Sequence, residues 1–145
     1  MIGLIQRVSQ AEVVVDDNKV GAIGPGLLAL IGVRPIDDEV SARRLLVRML
    51  QYRIFPDGAG KMNLSLTQVG GQLLLVPQFT LAADTAKGLR PGFSTAAPPE
   101  QGRRLFDSLV QSARELHGSV QTGIFGAHMQ VSLTNDGPVT IWLES

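Results

Sequence analysis

Apolar and polar side chains alternate on both sides of a Gly-Pro pair near the end of the chain. Residues 129–134 and 139–143 both show the two-residue period of a half-buried strand, so two strands are predicted there. A tight hairpin turn between them is the simplest interpretation of the segment that joins them. Gly137 and Pro138 also allow a second interpretation, because a Gly-Pro bond can be cis and the pair can present two carbonyl groups, without a side chain, to a cavity.

Short apolar runs predict further strands along the chain. They cover residues 2–8, 11–15, 27–33, 52–55, 72–76 and 120–125. Gly24, Gly26 and Ala29 have the spacing of a dinucleotide-binding motif, but they precede a strand and do not open a helix. They are therefore predicted to belong to a turn.

Two segments have the apolar spacing of amphipathic helices. The first is capped by Asp37 or Asp38 and extends to Gln51, and the second opens at residues 98–100 and closes at His117. Five positions on one face of the first helix are apolar: Ala42, Leu45, Leu46, Met49 and Leu50. Strands and helices alternate without a repeat or a linker, so the chain is predicted to form a single mixed α/β domain over residues 1–145.

Charge and composition narrow the range of functions. The chain has 13 Lys and Arg residues against 13 Asp and Glu residues, so any nucleic acid must bind a local patch. Arg43, Arg44 and Arg48 form either a solvated helix face or an RNA-binding face. The chain has no cysteine and no apolar run approaching the ~20 residues of a membrane span, so a soluble, cytoplasmic protein without a membrane partner is expected.

The usual hydrolase motifs are missing from the sequence. Neither a P-loop nor a nucleophile elbow occurs, and His117 and His128 are far from ligand spacing, so neither a metal nor a cofactor is predicted. Thr80 follows a buried strand, next to Gln78 and Phe79, and is a candidate nucleophile without a visible base. Backbone N–H groups of Phe79 and Thr80 are the alternative, because an oxyanion hole requires neither acid nor metal when the carbonyl is already activated.

The ordered set of motifs resembles the D-aminoacyl-tRNA deacylases of bacteria over essentially the whole chain. The motifs are residues 5–8 (IQRV), 60–63 (GKMN), 78–81 (QFTL), 83–85 (ADT), 87–88 (KG), 90–91 (RP), 93–94 (FS), 97–99 (APP), 129–133 (MQVSL) and 135–140 (NDGPVT). Each motif alone is weak, but their order along one chain is specific.

The resemblance implies a homodimer with barrel-like sheets and two main helices that hydrolyses the ester between a D-amino acid and the 3′ end of tRNA. Gln78, Phe79 and Thr80 would form the catalytic group, while Arg7, Gly137, Pro138 and Met129 would bind substrate. Gly137 and Pro138 would be joined by a cis peptide bond, and the pair from one subunit would enter the pocket of the other. There it would reject L-amino acids, but not glycine. The expected partners are aminoacyl-tRNA and a second copy of the chain, not DNA.

Three positions depart from the family pattern: Pro77 and Gly92 stand where serine is common, and His128 stands where aspartate is common. Pro77 has no N–H to donate. The alternative function is a domain that binds the tRNA acceptor end through Lys87 and Arg90 without hydrolysing the ester.

Overall fold

Two long antiparallel strands, β1 (Ile2–Val15) and β8 (Gln130–Glu144), organise the sheet of this protein. The computed structural model describes residues 1–145. Residues 2–8 and 11–15 were expected to be separate strands, and that prediction is wrong. Exposed Ser9 and Gln10 continue β1, and the break in the apolar pattern corresponds to shifts of register against β8 on both sides of Val8.

The remaining elements follow in chain order. They are β2 (Asn18–Ile23), β3 (Gly26–Gly32), α1 (Glu39–Gln51), β4 (Phe55–Pro56), β5 (Met62–Leu64), α2 (Leu66–Val69), β6 (Gln72–Pro77), a 3₁₀ turn (Phe79–Ala82), α3 (Pro99–His117) and β7 (Val120–Thr122).

The main sheet has six strands and is nearly closed into a barrel. Its order is β2-β1-β3-β6-β7, with β8 paired to the other side of β1, and β3, β6 and β7 run parallel to one another. The first and last strands of this order approach each other: a Cβ added at Gly21 would lie 2.8 Å from the Thr122 carbonyl oxygen. The prediction of one α/β domain with a barrel-like sheet is thereby confirmed.

Apolar side chains fill both faces of the central strands. In β6, Leu73 and Leu75 point to the helices and belong to the larger core cluster, whereas Leu74 and Val76 belong to a second cluster inside the barrel. A strand covered on both faces reads as a continuous apolar run, which is why β3 and β6 were visible in the sequence.

The two predicted main helices are confirmed. Asp38 is the N-cap of α1, and its carboxylate accepts hydrogen bonds from the Ser41 backbone N–H (2.8 Å) and hydroxyl (2.9 Å). These bonds hold the pKa of Asp38 below its ordinary value. All five apolar positions predicted for α1 are buried. None of the helices combines the length and the apolar character needed to cross a bilayer.

Several smaller elements differ from the expectations. Strand β2 was not predicted, and a strand at residues 52–55 is replaced by the two-residue β4, which pairs with β5. The strand expected over 120–125 ends at Thr122, and the chain turns at residues 124–127, where the Ala127 N–H donates to the Ile124 carbonyl. Helix α2 was also missed, although Ser65 and Gln68 form the capping box that marks its start.

Candidate active site

A cleft of about 430 Å³ opens where β6 ends. One wall is formed by Pro77, Gln78 and Phe79, and another by the beginning of α3. The third wall is the loop after β7, which contributes residues 125–129. Because most of the lining is apolar and comes from three separate elements, the cleft can surround a small organic group and exclude water from it.

The turn after β6 places two backbone donors at the edge of this cleft. Pro77 has no N–H, and the Gln78 N–H already donates to the Ile31 carbonyl at 2.7 Å. The first hydrogen bond within the 3₁₀ turn is donated by Leu81 to the Gln78 carbonyl at 3.2 Å. The N–H groups of Phe79 and Thr80 precede that bond, so the turn itself leaves them without an acceptor.

The Thr80 hydroxyl is oriented by its neighbour and not by a base. Gln78 Nε2 donates a hydrogen bond to Thr80 Oγ1, and both residues lie at the surface, half-buried and exposed respectively. An amide NH₂ cannot accept the proton that a nucleophilic hydroxyl must lose. The arrangement therefore leaves Thr80 as an ordinary hydroxyl group.

Contacts from α3 support the wall opposite this turn. Arg103 lies over the Phe125 ring, with its guanidinium carbon 5.0 Å from the ring centroid, and its Nη2 donates to the Phe125 carbonyl at 3.2 Å. Phe106 packs against the same ring at 6.4 Å between centroids. Met129 closes the loop, because its sulfur accepts the Ile124 N–H at 3.3 Å. The aromatic wall is thus fixed from two sides.

The Gly-Pro segment is not a hairpin turn, so that interpretation is wrong. The stretches on both sides of it pair in succession with the same strand β1, Asn135 opposite Val8 and Thr140 opposite Gln6. The chain does not reverse its direction; residues 136–139 bulge out of the ladder opposite Arg7 alone. Both stretches have a two-residue period because both pair with β1, which is long enough to accept them in turn.

Side chains replace the ladder bonds that the bulge loses. Asn135 Nδ2 donates to the carbonyls of Arg7 (2.9 Å) and Val139 (3.0 Å). Arg7 Nε donates to the Asp136 carbonyl at 3.0 Å, while its Nη1 donates to the Ile54 carbonyl at 2.7 Å. The Arg7 side chain is 12% exposed, so this hold is largely shielded from water.

The bulge presents Gly137 and Pro138 to the outside of the chain. Both are exposed, their peptide bond is cis, and neither lines the cleft of its own chain. Gly137 has φ of +139°, and a Cβ added there would lie 2.7 Å from Val139 Cγ2. The position therefore requires glycine.

The structure separates the predicted site residues into two groups. The first group lines the cleft and consists of Gln78, Phe79 and Met129, and Thr80 directly follows Phe79. The second group meets at the bulge and consists of Arg7, Gly137 and Pro138. Apart from Met129, the walls from α3 and from the loop after β7 were not identified from the sequence. Gly123 and Gly126 around Phe125 were the available signal, since paired glycines mark a loop shaped for close approach.

The two histidines lie in different surroundings. His117 is in the last turn of α3, where its Nε2 lies 2.7 Å from the Gly71 carbonyl oxygen, while His128 is exposed at the cleft. His, Asp and Glu side chains do not gather in groups of three that could hold a metal ion.

Comparisons with known proteins point to one family. The model for "D-Tyr-tRNA(Tyr) deacylase" matches residues 4–144. The D-aminoacyl-tRNA deacylase of Thioalkalivibrio sulfidiphilus (strain HL-EbGR7) is 65% identical over 99% of this chain and 97% of that protein. The protein of the same name from Azotobacter vinelandii (strain DJ / ATCC BAA-1303) is 62% identical over the full length of both chains.

Two solved structures have the same fold. One, called c-Myc DNA Unwinding Element Binding Protein, has a TM-score of 0.95 and 36% identity, covering 100% of this chain and 99% of its own. The other, described as a probable eukaryotic D-amino acid tRNA deacylase, has a TM-score of 0.89. It is 18% identical and covers 99% of this chain and 98% of its own, so it supports the fold alone.

Proposed function

Since the chain belongs to the D-Tyr-tRNA(Tyr) deacylase family, we propose that it hydrolyses the ester between a D-amino acid and the 3′ end of tRNA. It is a D-aminoacyl-tRNA deacylase, and therefore a hydrolase. The observation that carries the assignment of the site is the cleft at the end of β6, with the donors of Phe79 and Thr80 at its edge.

The reaction requires little chemistry from side chains because an aminoacyl ester is already an activated carbonyl. Water attacks the ester carbon, the bond from that carbon to the ribose oxygen breaks, and the ribose oxygen takes up a proton from water. The N–H groups of Phe79 and Thr80 stabilise the negative charge on the carbonyl oxygen, and the neighbouring ribose hydroxyl assists the proton transfer. Gln78 positions the turn by donating to Thr80 Oγ1.

Discrimination between D- and L-amino acids is assigned to Gly137 and Pro138 of a partner subunit in a homodimer. In their own chain they are exposed, stand outside the cleft and are held by Arg7, which suits an element that inserts into another subunit. Their carbonyls hold the substrate ammonium and leave no room for a side chain in the L direction, so rejection is steric. Glycine lacks that side chain and is accepted.

The proposed partner is RNA. The chemistry requires an aminoacyl ester on a ribose hydroxyl, which DNA does not carry. We therefore assign RNA, and not DNA, as the partner, although one solved relative is named for DNA binding.

Hydrolysis of three charged tRNAs by the pure protein tests the proposal. D-tyrosyl- and glycyl-tRNA should lose their amino acid far faster than without protein, while L-tyrosyl-tRNA should remain charged. A D-tyrosyl ester cleaved no faster than in buffer would contradict the deacylase. If glycyl and L-tyrosyl esters are equally untouched, the deacylase stands and the Gly137–Pro138 filter is contradicted.

A further inference from the structure

A narrow loop stands beside the cleft and has no role in the site described above. Asp84 and Gly92 close it with two backbone hydrogen bonds of 2.8 and 2.9 Å, and the Ala86 N–H donates to Asp84 Oδ1 at 2.9 Å. We call residues 84–92 the finger. Its closed base gives the exposed tip a defined position relative to the turn after β6.

The tip of the finger carries two cations and an apolar side chain. Lys87 and Arg90 are exposed and take part in none of the six ion pairs of the chain, and Leu89 is fully exposed. On a chain with zero net charge, two neighbouring unpaired cations form a local positive patch.

An exposed aromatic pair joins the finger to the cleft. Phe93 directly follows the finger, and its ring centroid lies 5.1 Å from that of Phe79, with 57° between the ring planes. Phe93 is 44% exposed and Phe79 is 55% exposed, and Phe79 also lines the cleft. A nucleic-acid strand that leaves the cleft on this side therefore meets the aromatic surface of Phe93 first and the cations of the finger next.

We propose that the finger and Phe93 bind the single-stranded nucleotides that precede the terminal nucleotide of the tRNA acceptor end. This inference rests on the proposed function, since it places the terminal aminoacylated nucleotide in the cleft. A base of the preceding strand stacks on Phe93, and Lys87 and Arg90 neutralise its phosphates, which is how proteins bind single strands without reading their sequence.

Three other basic or aromatic side chains of the surface fit this partner less well. Arg34 and Arg104 are paired with Glu144 and Glu39 respectively. Exposed Trp142 donates to the Glu144 carboxylate, which repels phosphate. At the finger, exposed aromatic rings and unpaired cations occur together and adjoin the cleft.

The test compares two substrates, D-tyrosyl-tRNA and 3′-O-(D-tyrosyl)adenosine, which lacks the preceding nucleotides. In the double variant Lys87→Gln/Arg90→Gln, the ratio of kcat/KM for tRNA to that for the adenosine ester should fall about tenfold or more, mainly through KM. The slope of log(kcat/KM) against log[salt] for tRNA should flatten by ~0.7 for each cation removed. Phe93→Leu should lower the ratio without changing the slope, and Phe93→Tyr should restore it.

Arg43→Gln/Arg44→Gln is the matched control, because it removes the same charge from exposed positions on α1, which we treat as a solvated helix face and not as an RNA-binding face. Its ratio and salt slope should equal those of the wild type. Finger variants that change neither quantity, or α1 variants that change both equally, would overturn the inference, as would a wild type that cleaves both substrates with equal kcat/KM.

Binding of an uncharged oligoribonucleotide ending in CCA, followed by fluorescence anisotropy, gives a second readout that needs no hydrolysis. The wild type should bind more tightly than the finger variants at low salt, with unchanged melting temperatures for all variants. A wild type that binds this RNA but cleaves neither ester would contradict the proposed function and leave the finger supported. Equal affinity of wild type and finger variants would contradict the finger alone.

Discussion

Thr80 carries both a hydroxyl and an N–H at the edge of the cleft, and the two groups imply different mechanisms. Its hydroxyl accepts a hydrogen bond from Gln78 and is not hydrogen-bonded to a base. Thr80→Ala removes the hydroxyl and keeps the N–H. The rate constant for hydrolysis of D-tyrosyl-tRNA, measured in single-turnover assays, should therefore stay within about tenfold of the wild-type value. Loss of a backbone donor would by comparison cost ~10²–10³.

Thr80→Ser is the matched control for the hydroxyl, because it retains the oxygen and loses only the methyl group. Complete loss of turnover in Thr80→Ala, with activity kept in Thr80→Ser, would establish a threonine nucleophile and remove the backbone mechanism. Turnover that falls equally in both variants would instead point to the packing of the methyl group.

At the scale of a single residue, the sequence revealed identities better than contacts. Gln78, Phe79 and Thr80 stood out because they follow a strand that ends at a proline. Which of their N–H groups is free to bind substrate depends on Ile31, which lies 47 residues away in the sequence. Its carbonyl accepts the hydrogen bond of the Gln78 N–H. Arg103 and Phe125 escaped notice because a cation over a ring has no sequence period.

Among the elements, helix α1 has a cap whose charge should make stability depend on pH. The Ser41 backbone N–H, followed by its hydroxyl, lowers the pKa of Asp38 in the folded state. Because the pKa is lower in the folded state, the ionised carboxylate stabilises the protein at a pH above the pKa of the unfolded state, about 3.9. This contribution is lost as the pH falls through the lower pKa of the folded state. Below about pH 4, the melting temperature should therefore fall.

Asp38→Asn isolates this contribution, because asparagine caps helices about as well as aspartate but does not titrate. At neutral pH the variant should melt close to the wild type, and from about pH 4 to 2 its melting temperature should fall less steeply. Asp57 and Glu144 also have lowered pKa values, so part of the acid dependence should remain. Parallel melting curves of the two proteins across this range would contradict the role of the cap.

The two main helices were predicted well because their signals are local, whereas the pairing of the last strand was not, because it depends on a distant partner. The N-cap and apolar face of α1, and the proline and apolar face of α3, lie within each helix and were readable. The hairpin at the end of the chain was wrong because alternation reports a half-buried strand but not its partner. That partner is β1, at the other end of the chain.

At the scale of the whole molecule, the point to decide is which subunit's cleft the Gly137–Pro138 bulge enters. The barrel could be expected from the sequence only through resemblance, since closure depends on β2 meeting β7. The bulge lies outside the cleft of its own chain, and we propose that it enters the cleft of the partner. Mixed dimers can separate a site shared between subunits from a site within one subunit.

Two variants make this test possible. Gly137→Ala places a Cβ 2.7 Å from Val139 Cγ2 at a positive φ, so the carbonyls of the bulge must shift. In the proposed homodimer, this variant should lower the D over L ratio of kcat/KM about tenfold or more, equivalent to at least ~1.4 kcal/mol of discrimination. Ala127→Trp fills the cleft that Ala127 lines, and its homodimer should cleave neither ester.

In the mixed dimer, purified through two different tags, the one open cleft belongs to the Gly137→Ala subunit. If the bulge acts across the interface, that cleft receives the intact Gly137 and Pro138 of the Ala127→Trp subunit. The mixed dimer should then cleave D-tyrosyl-tRNA at roughly half the wild-type rate per dimer, because one of two symmetric sites is open, and should again reject L-tyrosyl-tRNA. If the bulge serves its own chain, the open cleft keeps the altered bulge and the mixed dimer will be as unselective as the Gly137→Ala homodimer. That second result would place the filter within one subunit and contradict the shared site.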